Sequence, residues 1–124
     1  MVPFRAAVEA EDFDRAVSLL ADDVVFRSPV VFKPYRGRAE VSMLLHAVSR
    51  VFEDFRYTRE IGDPDGRDHA LVFEARVGDR QLEGCDFLRT NADGLIEEFV
   101  VMVRPLSGAL ALAEAMKAQL EAAG

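Results

Sequence analysis

The chain has 124 residues, 50% of them apolar and 30% charged, which suits one domain with a buried core. Its 22 acidic and 15 basic side chains give a net charge of −7, so few cations are present to neutralise phosphates, and nonspecific nucleic-acid binding is excluded as a function class. A single cysteine, Cys85, and two well-separated histidines, His46 and His69, exclude an internal disulfide, a cysteine zinc cage and a short metal-ligand motif.

Residues 2–10 predict a short helix, with Pro3 in its first turn. Asp12 suits the N-cap of a second helix running to Leu20, with Phe13, Ala16, Val17 and Leu20 on one face. Val24–Ser28 predicts a strand ended by Pro29, followed by an unusually apolar loop with Val30, Val31, Phe32 and Tyr35. The main helix is expected over Arg38–Phe52, because Val41, Leu44, Leu45, Val48 and Phe52 share a narrow arc at helical spacing. A strand over 57–61 leads into the turn residues Gly62 to Gly66. His69–Val77 and Gln81–Thr90 then form a hairpin about Gly78-Asp79. Asn91 to Gly94 turn the chain into Leu95–Arg104, which Pro105 stops, and Ser107 is expected to cap a C-terminal helix. Segregated helices and hairpins indicate an α+β class in one domain, 1–124. The expected architecture is a cone-shaped, curved antiparallel sheet wrapped around the long helix.

The segment from Ser18 to Pro29, with its Leu19-Leu20-Ala21-Asp22-Asp23 run, together with Tyr35-Arg36-Gly37-Arg38, resembles the nuclear-transport-factor-two-like superfamily over roughly residues 4–104. SnoaL-like polyketide cyclases and ketosteroid isomerases are the most similar branches. The isomerase pattern implies a base Asp just before the proline that ends the first strand, where this chain has Ser28. It implies an oxyanion-hole Tyr on the first helix, where this chain has Phe4. It also implies a protonated Asp eight residues before a turn Gly, and here Asp86 precedes Gly94 by that spacing. Limonene-epoxide hydrolases need an Arg two residues before their strand Asp, a position held here by Gly84.

Strand alternation places Leu82, Gly84, Leu88 and Thr90 on the same inward face as Asp86. Two readings of Asp86 stand side by side. It is an acid/base group or oxyanion donor whose pKa is raised by desolvation, or a strand carboxyl bonded to a backbone amide or an Arg. Pairing about the Gly78-Asp79 turn sets Asp86 opposite Leu71, with His69 one diagonal step away. A catalytic Asp86–His69 pair is therefore expected, against a plain strand-end histidine. Phe4, Phe26, Ser28, Phe32 and Tyr35 are expected to line the ligand pocket, with Phe52, Phe73, Phe99 and Val101. Tyr57 reads as packing and His46 as solvated.

Val72, Cys85, Phe87, Val100 and Met102 alternate onto the outer sheet face. A sheet that is apolar on both sides must be covered on both, so a homodimer through this face is expected. The last helix has three placements open to it: over the pocket, in the dimer contact, or on the sheet edge. There is no Gly-rich phosphate loop, so no cofactor is expected. No apolar run approaches the roughly 18 residues of a membrane span, and no signal-peptide core appears, so the expectation is a soluble, cytoplasmic protein. Its partner is expected to be an apolar small molecule, with no nucleic acid and no membrane. The functional expectation is a cofactor-free isomerase, cyclase or lyase acting on an apolar carbonyl compound. The alternative is a noncatalytic ligand-binding or dimerising accessory protein of the same fold.

Overall fold

The computed structural model describes residues 1–123. Its elements run α1 (Val2–Glu9), α2 (Phe13–Ser18), β1 (Leu20–Arg27), β2 (Tyr35–Arg36) and α3 (Arg38–Ser49), then β3 (Glu53–Ile61), β4 (Asp68–Val77), β5 (Arg80–Thr90), β6 (Ile96–Arg104) and α4 (Leu106–Ala123). One six-stranded sheet has the order β2-β1-β6-β5-β4-β3. The α+β class and the single sheet agree with the sequence reading. The sheet is mixed rather than wholly antiparallel, because β1 runs parallel to β6.

That parallel pairing also moves an element boundary. Leu20 fits the apolar stripe of the second helix and was expected there. Instead it opens β1 opposite Ile96, and the Ile96 amide donates to the Leu19 carbonyl at 2.9 Å. Tertiary pairing overrides local periodicity here. Asp12 does cap α2, accepting from the Arg15 amide at 3.1 Å. The long helix stops at Ser49, three residues before Phe52, as the chain turns to feed β3. Ser107 lies inside the first turn of α4, not at its cap.

The Arg-Gly-Arg segment joins α3 to the sheet. Gly37, at φ 90°, donates its amide to the Val24 carbonyl at 2.8 Å. Arg38 reaches the Leu20 carbonyl with Nε at 3.1 Å and a terminal nitrogen at 2.8 Å, beside the register shift in β1. Its guanidinium thus satisfies a carbonyl close to where the ladder breaks.

The hairpin between β4 and β5 has the anticipated register, with Leu71 opposite Asp86 and Phe73 opposite Gly84. Burial alternates cleanly along both strands, and the inward set includes Leu71, Phe73, Ala75, Leu82 and Leu88. Gly84 has a steric reason. The outer end of the Phe73 ring covers its position, and an added Cβ would come 2.2 Å from Phe73 Cζ. The arginine of the epoxide-hydrolase pattern has no space at this point.

Gly84→Ala forces the Phe73 ring out of its seat. We expect a loss of about 1–3 kcal/mol in urea unfolding, partly recovered in the Gly84→Ala/Phe73→Leu double variant. Equal stability of Gly84→Ala and wild type would refute this packing account.

Candidate active site

The concave face of the sheet, α1, α3 and α4 enclose a cavity of about 910 Å³. Its walls are chiefly apolar, with two aromatic clusters. On one side Phe4 meets Phe99 edge-on at 5.5 Å between centroids, and Phe99 meets Phe26 at 5.0 Å. On the other, Phe55 stacks on Phe73 at 4.9 Å and meets Tyr57 edge-on at 4.9 Å, with Phe52 alongside. The volume lies in the range of small-molecule pockets.

Of the residues expected to line a pocket, Phe4, Phe26, Ser28 and Tyr35 border the cavity, as do Phe52, Phe73, Phe99 and Val101. Phe32 does not. It is fully exposed, at 101% relative accessibility. The Val30 amide donates to Ser28 Oγ at 3.0 Å, and Pro29, Val30 and Val31 border the cavity while Phe32 stands outside it.

Asp86 projects from the middle of β5 into this space and is buried, with 6% of its surface accessible. Its carboxyl accepts a hydrogen bond from the Tyr57 hydroxyl, at 3.2 Å to Oδ2. Removal from water pushes the Asp86 pKa up to about 7, and the Tyr57 hydrogen bond restrains the rise. The Tyr57 phenol is itself pushed far above its ordinary range, first by burial and then by the Asp86 charge. At neutral pH Tyr57 therefore keeps its proton and donates it to Asp86, which is divided between carboxylic acid and carboxylate.

His69 is not the partner of Asp86. It faces inward and is buried, but it pairs across the ladder with Leu88, beyond the edge of the cavity. Its Nε2 lies 2.8 Å from the Gly66 carbonyl, and Nδ1 lies 3.5 Å from the Met1 amine. The turn after β3 folds back over the ring and holds it at the strand end, so diagonal proximity on the sheet produces no contact with Asp86.

Tyr57, which the sequence reading assigned to packing, is the donor to Asp86 at the cavity wall. β3 is an edge strand whose register against β4 shifts twice, between Glu53 and Arg56 and between Tyr57 and Arg59. These irregularities bracket the tyrosine and make it the one buried residue of β3. No simple alternation along 53–61 points to it. The usable signal was chemical: a buried strand carboxyl needs a donor, and the chain has only two phenols.

The SnoaL-like domain model matches residues 3–99. The chain belongs to the SnoaL-like family. A steroid delta-isomerase from Pseudomonas aeruginosa shares 47% identity over 94% of this chain and 85% of its own, with a TM-score of 0.90. A protein with a cystatin-like fold from Silicibacter pomeroyi shares 37% identity over 97% and 84% of the two chains, with a TM-score of 0.91. A candidate polyketide cyclase from Pseudomonas putida, at 17% identity, 86% and 89% coverage and a TM-score of 0.69, shares the fold. No curated protein sequence matches the chain. Among the described residues of this SnoaL-like protein, no group of His, Cys, Asp and Glu is placed to hold a metal ion. No described helix is long and apolar enough to cross a membrane.

A carboxyl whose pKa is 3.8 in solvent and about 7 when folded holds its proton more tightly in the native state. Its contribution to stability is fully present below about pH 4 and is lost as pH rises through 7, by up to about 4 kcal/mol. Asp86→Asn keeps an acceptor for Tyr57 and removes the titration. We expect equal unfolding free energies for the two proteins near pH 4 and a clearly more stable Asp86→Asn variant at pH 8. Parallel pH–stability curves would contradict the burial assigned to Asp86.

Proposed function

We propose that this protein is a cofactor-free acid/base enzyme of the isomerase, cyclase or lyase type, acting on an apolar carbonyl compound. The observation that carries this reading is the Tyr57–Asp86 pair, at 3.2 Å, on the wall of an aromatic cavity. Tyr57 occupies Oδ2, so the proton of neutral Asp86 resides on Oδ1 and is given to a ligand oxygen. A ketone held there gains a hydrogen bond that strengthens as its oxygen takes on enolate charge, and the dry surroundings magnify that gain. The role is that of an oxyanion donor and acid. The base positions of the isomerase pattern do not recur, because Ser28 stands where the carboxylate would be and binds the Val30 amide. Steroid isomerisation through that base is not part of the proposal.

A second reading, a binding protein that holds the same ligands without turnover, draws support from the same Ser28 and from Phe4. Deuterium exchange separates the two. Apolar ketones incubated in D₂O with a buffer base, which takes the α-proton while Asp86 hydrogen-bonds the carbonyl oxygen, exchange their α-hydrogens faster with the protein than without it if the first reading holds. The rate then falls as pH rises through 7, and Asp86→Asn reduces it by about 10²-fold or more. Binding without any acceleration supports the second reading and overturns the first.

The outer sheet face supports a homodimer as the working state. Val72, Cys85 and Met102 form one cross-strand row and Phe87 and Val100 the next, with Phe87 42% and Met102 60% exposed. α4 packs toward the Leu82 side, opposite this face, and leaves it bare. The charges at the patch's ends are already paired, Arg89 with Asp68 at 2.8 Å and Arg104 with Glu83 at 3.4 Å. Two copies of an acidic chain therefore meet there without a like-charge core. Light scattering is expected to give twice 13.8 kDa for wild type and 13.8 kDa for Phe87→Glu/Val100→Glu. A variant that keeps the wild-type mass would exclude this face.

A further inference from the structure

The matched family domain ends at residue 99, and the whole of α4 lies beyond it. Yet α4 supplies a wall of the cavity. Leu112, Met116 and Leu120 all border it. Their spacing of four puts them in one stripe about 12 Å long. The stripe is graded in burial. Leu112 is 4% exposed and belongs to the core, whereas Met116 and Leu120 are only half-buried and pack against it. The first turn of the helix is fixed to the sheet, because Gly108 sits so close to β5 that an added Cβ would come 2.8 Å from the Leu82 Cβ. The helix is thus seated at its start and presents adaptable apolar side chains to the cavity further along. Methionine, unbranched and with a polarisable thioether, fills such irregular space without fixing one shape.

We propose that α4 is the specificity element of this site, and that Met116 and Leu120 set the length of apolar ligand the cavity accepts. Asp86 and Tyr57 hold the polar end of the ligand, and the α4 stripe meets its far end. This inference rests on the cavity being the ligand site described above. It separates two properties: Asp86 governs how strongly every ligand is held, and α4 governs which ligands fit. Leu112 is part of the core, so the adjustable positions are the two that follow it.

A ladder of neutral phenyl ketones with unbranched alkyl chains from methyl to octyl tests this. Each displaces a naphthalene-based fluorescent probe, whose signal is free of protein indole emission because the chain has no tryptophan. For wild type, affinity is expected to climb with chain length and then fall at a cut-off. Met116→Ala and Leu120→Ala move the cut-off to longer chains, and the ketones just beyond the wild-type limit gain about tenfold. Met116→Phe moves it to shorter chains. Asp86→Leu/Tyr57→Phe, which leaves no donor at this wall, weakens all members by a similar factor and leaves the cut-off in place. If the α4 variants change every affinity equally while Asp86→Leu/Tyr57→Phe still weakens all, the specificity role falls and the acid reading stands. If the cut-off moves but Asp86→Leu/Tyr57→Phe has no effect, the acid reading falls and the α4 role stands. Failure of every ketone to bind overturns both.

Discussion

The constraint on which the site depends is the removal of one carboxyl group from water. Asp86 sits mid-strand on the inward face of β5, where alternation offers no route to solvent. An ionised carboxylate with one neutral donor is poorly compensated there, so the group retains its proton up to about pH 7. Everything near it follows from supplying that single donor while keeping water out. Tyr57 must cross from β3, two strands away in the sheet, and the strand between them has to let it pass.

The passage is made by two local departures from regular structure. Gly84 lacks a side chain, so the end of the Phe73 ring occupies the space above β5 that a Cβ would fill. The register shifts in β3 then set Tyr57 beside Phe55 and opposite Phe73, with its hydroxyl directed at Asp86. The aromatic rings serve as more than filler. They form the low-dielectric medium that makes one hydrogen bond count, and they hold the phenol in line with the carboxyl. The Phe-rich, Trp-free composition has its explanation here, since Phe4, Phe26, Phe52, Phe55, Phe73 and Phe99 all border the cavity.

Regular periodicity explains what was legible in the sequence. The two-residue Gly78-Asp79 turn fixes the β4–β5 register, so Asp86 opposite Leu71 and its inward direction follow from counting alone. Most of the pocket walls follow from the same alternation and from the helical arc of α3. Non-local or irregular features were not legible. The parallel β1–β6 pair is set by contacts far apart in sequence, and it draws Leu20 out of a helix that its local pattern favours. The register shifts flanking Tyr57 break the period of two by which its facing would have been read. His69 was placed correctly on the inward face, but the fold-back of the Gly62–Gly66 turn, which claims its ring, has no periodic signature. Phe32 fails for a similar reason, since one turn bond at Ser28 decides which loop residues meet the cavity.

A neutral-range pKa also couples ligand, proton and stability. Near pH 7 the native protein is a mixture of acid and carboxylate forms at Asp86. On the proposed function, a carbonyl ligand accepts a hydrogen bond only from the acid form, so its binding would draw the mixture toward the protonated state and take up a proton from solution. By linkage, the ligand stabilises the fold where the bare site is weakest, on the alkaline side of 7, because there it holds on the acid a proton that the empty cavity loses. On the proposed function, the cost of burying the carboxyl is thereby offset by the bound carbonyl compound. Tyr57 tempers the effect: its hydrogen bond keeps the pKa from rising further, so the proposed acid keeps a proton that it can still give up near neutral pH.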